Sequence, residues 1–116
     1  MKEYVSVDVE TTGLAPKQDK IIEIGAVRVR DGQIVESFTS FVNPGRILPA
    51  HITELTGILQ EQVDEAETME SVLPAFLEFA GDLPLMGHRI LFDYGFLKRA
   101  AVNMRLDFER SGVDTL

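Results

Sequence analysis

Two carboxylates one residue apart, Asp8 and Glu10, stand at the end of an apolar run that starts at Tyr4. Val5, Val7 and Val9 alternate with Tyr4, Ser6 and Asp8, which predicts a β-strand over 4–9. Strand side chains repeat every two residues, so Asp8 and Glu10 point to the same face. Like charges that close in a half-buried sheet repel each other and lose hydration. They are tolerated when a cation sits between them or when one takes up a proton. Paired oxygen donors suit hard divalent ions. Taken alone, the pair fits two solvated surface acids equally well. Asp93 is the third acid of interest. Its place near a predicted helix start is also where an ordinary capping acid belongs. His88, taken alone, fits a hydrogen-bonded loop histidine.

The elements that must hold these groups follow from pattern and punctuation. A polar, proline-broken loop covers 14–20, and a second strand is predicted over 21–30. Asp31-Gly32 is a two-residue hairpin signal, because both positions tolerate positive φ. A third strand runs from Gln33 to about Val42, and Asn43-Pro44-Gly45 turns the chain. Three antiparallel strands thus open the fold as a meander. Pro49 to Leu55 reads as a short helix or turn. Val72, Phe76, Phe79 and Ala80 mark one face of a helix over 68–80, in which Pro74 fits only if the helix starts close before it. Leu83 to Met86 predicts a buried parallel strand. The residues from Gly87 onward turn into a helix carrying Phe96, Leu97, Ala100 and Met104 inward. After a break at Ser111-Gly112, Val113 to Leu116 begins another strand. This order predicts an α/β layered fold with a mixed sheet and flanking helices.

Composition narrows the classes. At 116 residues and 45% hydrophobic, the chain is expected to be a single packed domain over 1–116. With no cysteine there is no disulfide framework, thiolate metal site or thiol nucleophile. The lack of a signal-peptide pattern or a long apolar run leads to the expectation of a cytoplasmic protein without membrane association. Nineteen acids against eleven bases give a net charge of −8, which argues against gripping duplex DNA through a broad basic face. Nucleic acid remains possible as a substrate, because bound cations invert the local field.

Four segments, in order, resemble one family over nearly the whole chain. Val7-Asp8-Val9-Glu10-Thr11-Thr12-Gly13-Leu14 is similar to the first motif of the DEDD-type 3′–5′ exonucleases. Ile21-Ile22-Glu23-Ile24-Gly25-Ala26-Val27 is similar to the strand that follows it there. Ile52-Thr53-Glu54-Leu55-Thr56-Gly57-Ile58 resembles a segment bordering the substrate. Gly87-His88-Arg89-Ile90-Leu91-Phe92-Asp93-Tyr94-Gly95-Phe96-Leu97 resembles the second motif, with Asp93 as its acid. The likeness extends to the epsilon-type proofreading exonucleases of bacterial replicative polymerases, and the Thr-Thr-Gly and Leu-Thr-Gly-Ile features favour the subclass with a His base.

The resemblance implies a ribonuclease H-like fold and two divalent ions, Mg²⁺ or Mn²⁺, held by Asp8, Glu10 and Asp93 as catalytic carboxylates. It implies an in-line displacement that releases nucleoside 5′-monophosphates from 3′ ends of single-stranded DNA, with RNA not excluded. Substrate contacts are implied near Thr11 and Thr12, at Leu14 as a wedge against the last base, and at Thr56, His88 and Phe92. Leu14 fits plain loop packing as well, and Phe92 plain core. The implied partner is a polymerase subunit, or a fused polymerase or helicase domain.

Two departures matter. The family carries a third motif, H-x-x-x-x-D or Y-x-x-x-D, which supplies the general base and the fourth carboxylate. Asp107 and Asp114 are the later Asp residues, and neither follows a His or Tyr at that spacing. The expectation is therefore a domain truncated before its last motif. Arg89 stands where relatives usually place Asn, either as a contact to substrate phosphate or as a loop variant. The alternatives to an exonuclease are a catalytically incomplete module that binds nucleic acid or a polymerase partner, and a metal-dependent phosphoesterase acting on small nucleotides.

Overall fold

The computed structural model describes residues 2–106, 108 and 113–115. Alternating Val residues build β1 (Glu3–Thr11), which extends two residues past the predicted end and so includes Glu10. β2 (Ile21–Arg30) runs antiparallel to it and β3 (Gln33–Phe41) antiparallel to β2. The hairpin between them turns at Asp31 and Gly32, with φ of 51° and 81°. Both values are positive, as a two-residue turn matched to strand twist requires. At the far end of β3 the Gly45 N–H donates to Asn43 Oδ1 at 2.9 Å, closing the expected turn.

Three helices follow: α1 (Ala50–Thr56), α2 (Gln60–Asp64) and α3 (Met69–Ala80). The second was not foreseen. It is five residues long and mostly polar, so no apolar period announces it. Side-chain bonds specify it instead. The Leu59 N–H donates to Gln62 Oε1 at 2.8 Å, and the Leu48 N–H to Gln60 Oε1 at 2.6 Å. Pro74 sits inside α3, five residues after its start rather than in the first turn. The carbonyl it leaves without an N–H partner is that of Glu70, in the exposed first turn, where water can replace the lost bond.

β4 (Leu85–Gly87) lies parallel to β1, as the apolar run predicted, and α4 (Ile90–Asn103) follows. Along α4 the fully buried small residue is Ala101, whereas Ala100 and Met104 are only partly covered. One residue's displacement is a rotation of about 100° around a helix, enough to exchange a lining position for a core position. β5 (Val113–Thr115) lies parallel to β4 and completes the sheet in the order β3-β2-β1-β4-β5. The predicted break at Ser111-Gly112, Asp107 and Leu116 lie outside the described residues.

β1 is therefore central, with an antiparallel neighbour on one side and a parallel one on the other. Its Val5, Val7 and Val9 pack with Leu73, Phe76 and Ala80 of α3 and with Phe96, Leu97 and Ala101 of α4. A second apolar cluster gathers Ile22, Leu48, Ile52, Ile58 and Val63 under the short helices. Gly87 permits the closest approach in the sheet. A Cβ there would lie 2.6 Å from the Val7 carbonyl oxygen, so the end of β4 can meet β1 only without a side chain. Among the described residues no helix is long and apolar enough to cross a membrane.

Candidate active site

The carboxyl ends of β1 and β4 and the first turn of α4 meet in one region, a common place for ligands in sheets containing parallel strands. Asp8 is exposed and Glu10 half-buried, both on the face of β1 opposite its valines. The register puts Glu10 across from Glu23 and Asp8 across from Gly25. Gly25 presents no side chain, so β2 leaves the Asp8 carboxylate uncovered. The ladder slips between Glu10 and Thr11, and the strand departs from β2 immediately after the second acid.

Asp93 has a different environment. Its carboxyl group is almost wholly buried, with 1% of the residue exposed. Its backbone N–H bonds the Arg89 carbonyl at 2.9 Å, as the first turn of a helix requires. The Val9 N–H donates to its carboxylate, tying α4 to the end of β1. The other oxygen, Oδ2, is buried and has no hydrogen-bond partner among the described residues. An unpartnered buried carboxylate oxygen is uncommon, and its chemistry is that of a donor to a cation.

Electrostatics bind these acids into one group. Burial pushes Asp93 up from 3.8 to about 7, and the Asp8 charge adds to the rise; the Val9 bond and Arg89 oppose it. Glu10 is raised by its own burial, then by Asp8 and Glu23, with Arg89 again opposing. Glu23 is raised by burial and by Asp8. Glu23 was not singled out from the sequence. Its signal is the pairing register of β1 with β2, which places it across from Glu10.

The donors are all carboxylate oxygens, the chemistry that hard divalent ions prefer, and Asp93 Oδ2 is available to one. In these respects the residues fit Mg²⁺ or Mn²⁺. The like charges nonetheless stay apart: among the described residues no three His, Asp or Glu side chains are gathered into an ion-holding cluster.

The other predicted residues divide in two. Thr11 and Thr12 are buried beside the acids, but their hydroxyls are engaged in the loop. Thr11 Oγ1 donates to the Gly13 carbonyl at 2.6 Å, and Thr12 Oγ1 to Asp19 Oδ1 at 3.1 Å. Asp19 also accepts the Ala15 N–H at 3.0 Å and occupies the space a Cβ on Gly13 would need. It organises the loop, and the sequence carried no sign of that role beyond a short polar side chain near a turn. Thr56 Oγ1 donates to the Ile52 carbonyl at 2.8 Å and accepts the Ile58 N–H, ending α1. Leu14, by contrast, is 77% exposed and free to meet a ligand. His88 is exposed. Phe92 is half-buried, its ring 4.9 Å from that of Phe96 and covered by the Arg89 guanidinium at 4.1 Å. A cavity of about 360 Å³ lies elsewhere, lined by Ile21, Val42, Thr68, Phe96, Arg99 and Met104, and contains none of the predicted site residues. Asp8 and Glu10 instead face an open surface.

The family model RNase_T, described as exonuclease, matches residues 5–115. The chain belongs to this exonuclease family. It is of the DEDD type, with a ribonuclease H-like fold. The PolC-type DNA polymerase III of Clostridium perfringens is 47% identical over 114 residues, covering 98% of this chain. That of Bacillus subtilis is 43% identical over 116 residues. The chain spans about 8% of the length of either relative. Among solved structures, exonuclease I in its apo form superposes with a TM-score of 0.83 at 14% identity, covering 98% of this chain and 28% of that one. Escherichia coli exonuclease I in complex with a dA16 oligonucleotide gives 0.81 at 16% identity, covering 92% and 25%. At such identities the likeness concerns the fold.

Proposed function

We propose that residues 1–116 form a 3′–5′ exonuclease domain that uses divalent metal ions to remove nucleoside 5′-monophosphates from single-stranded DNA ends. The observation that carries the reading is the junction of β1 with α4. There, exposed Asp8 and half-buried Glu10 face outward beside a buried Asp93 with an orphaned oxygen. Asp8, Glu10 and Asp93 would hold the ions. When bound, Mg²⁺ or Mn²⁺ would supply a water of lowered pKa and charge neutralisation at the leaving 3′ oxygen.

The chain's own residues do the positioning. The Val9 N–H fixes one oxygen of Asp93, and the loop clamped by Asp19 sets where Leu14 stands. Leu14 would wedge against the terminal base while backbone groups near Thr11 and Thr12 meet the 3′ hydroxyl. Their engaged hydroxyls leave that role to the main chain. His88, Thr56 and Phe92 would border the nucleotide. The PolC-type relatives support a place beside a replicative polymerase, in proofreading, and hence in the bacterial cytoplasm.

The test is release of mononucleotide from a 3′-labelled oligonucleotide with Mn²⁺, comparing the parent with Asp8→Ala. Release that falls at least 100-fold in the variant is expected, since one group holds both charge and geometry in the transition state. One observation favours a second reading, a module that binds nucleic acid or a polymerase without cutting: the acids do not converge on one ion among the described residues. Oligonucleotide binding without Asp8-dependent release would establish it instead.

A further inference from the structure

Arg89 is the residue immediately before α4, and its side chain is placed differently from those of Arg28, Arg30 and Arg46. Arg28 pairs with Glu36 at 2.9 Å, Arg30 with Glu3 at 3.3 Å, and Arg46 donates to the Gln18 carbonyl at 2.8 Å. The Arg89 side chain makes no hydrogen bond or ion pair among the described residues. Yet it is close enough to the acids to lower the pKa of both Glu10 and Asp93. A cation beside carboxylates ordinarily closes onto one of them. Here stacking holds it back: the guanidinium carbon lies 4.1 Å from the Phe92 ring centroid. A stacked guanidinium keeps its edge free, and that edge carries the donors that match phosphate oxygens two at a time.

We propose that Arg89, held on the Phe92 ring, is a substrate contact that binds a backbone phosphate of the single strand at the rim of the acidic site. The proposal rests on the exonuclease reading and deepens it. A chain of net charge −8 must draw a polyanion toward a cluster of carboxylates. A free arginine at the edge of that cluster supplies a local attraction with directional bonds. A lysine would supply the charge without the planar fork.

The experiment measures binding of a fluorescein-labelled oligo-dT by the full chain, in Ca²⁺ and in EDTA, across a salt series. Arg89→Ala is expected to weaken binding by roughly tenfold or more, as loss of a hydrogen-bonded charge does. It is also expected to flatten the slope of log affinity against log salt by about 0.7, the contribution of one single-strand phosphate. Arg89→Lys keeps the slope and loses part of the affinity. Phe92→Leu keeps the charge and weakens binding less than Arg89→Ala. Unchanged affinity and slope in Arg89→Ala would overturn the proposal while leaving Asp8-dependent release, and so the exonuclease reading, intact. A shifted melting temperature with an unchanged slope also overturns it, since that marks a cation serving only to neutralise Glu10 and Asp93. If the parent neither binds the oligonucleotide nor releases mononucleotides, the exonuclease reading fails and this proposal falls with it.

Discussion

The two faces of β1 are made from the same nine residues and obey opposite rules. One face presents Val5, Val7 and Val9 to α3 and α4, and all three are buried. The other presents Ser6, Asp8 and Glu10, with Glu23 and Gly25 beside them on β2. On the covered face the three valines meet apolar partners, and burying them favours folding. On the open face the carboxylates are like-charged neighbours: Asp8 raises the proton affinity of Glu10 and Glu23, and Glu23 raises that of Glu10. The period of two in a strand lets one segment carry both: stability is invested on one side so that electrostatic strain can be tolerated on the other.

Substitutions on each face put that contrast at risk. The largest effect is expected from Phe76→Ala on the covered side. Phe76 is fully buried and stacks against Phe38 at 5.9 Å, so truncation leaves a cavity costing about 3–5 kcal/mol. Urea unfolding measures it, with Asp8→Asn as the partner variant expected to lose no stability. Comparable losses in the two variants would erase the distinction between the faces.

The next effect runs the other way. The folded state holds the Asp93 proton more tightly than the unfolded chain, about 7 against 3.8. The stability this group contributes is therefore fully present below about pH 4 and lost as pH rises through about 7. At about 1.4 kcal/mol per tenfold in proton affinity, the loss is at most on the order of 4 kcal/mol. Asp93→Asn keeps an acceptor for the Val9 N–H and abolishes the titration. In EDTA it should melt above the parent at pH 8, with the gap closing toward pH 4. Parallel melting curves across that range would show that burial of this acid carries no such cost.

The smallest effect belongs to Glu23→Gln. Removing the charge across from Glu10 should lower the Glu10 pKa, followed by NMR of its carboxyl carbon, and stabilise the fold by less than about 1 kcal/mol. A Glu10 titration indifferent to this change would mean that the two side chains do not share the face.

Local signals were strong for the strands and the turns. The alternation in β1, the Asp31-Gly32 hairpin and the apolar run before Gly87 need only nearest neighbours to be read. α2 was hidden because its stability comes from Gln60 and Gln62 side-chain bonds rather than from an apolar stripe. The inward face of α4 was off by one small residue, since Ala100 and Ala101 are the same letter and only packing against β1 separates them. Thr12 and Thr56 have hydroxyls engaged in loop and helix ends, a matter of partners seven and four residues distant.

By itself the sequence determined that Asp8 and Glu10 share a face, because a strand has no other way to arrange alternate residues. It also determined that Asp93 would open a helix, and motif order tied the three acids to one family. Tertiary structure alone decided that Glu23 stands across from Glu10, because the β1–β2 pairing register puts it there. It alone decided that Asp93 is buried with an oxygen unpaired, and that Arg89 lies on an aromatic ring instead of on an acid. Those are facts about which surfaces remain after packing. They depend on long-range closure of the sheet over its helices, which no local pattern encodes.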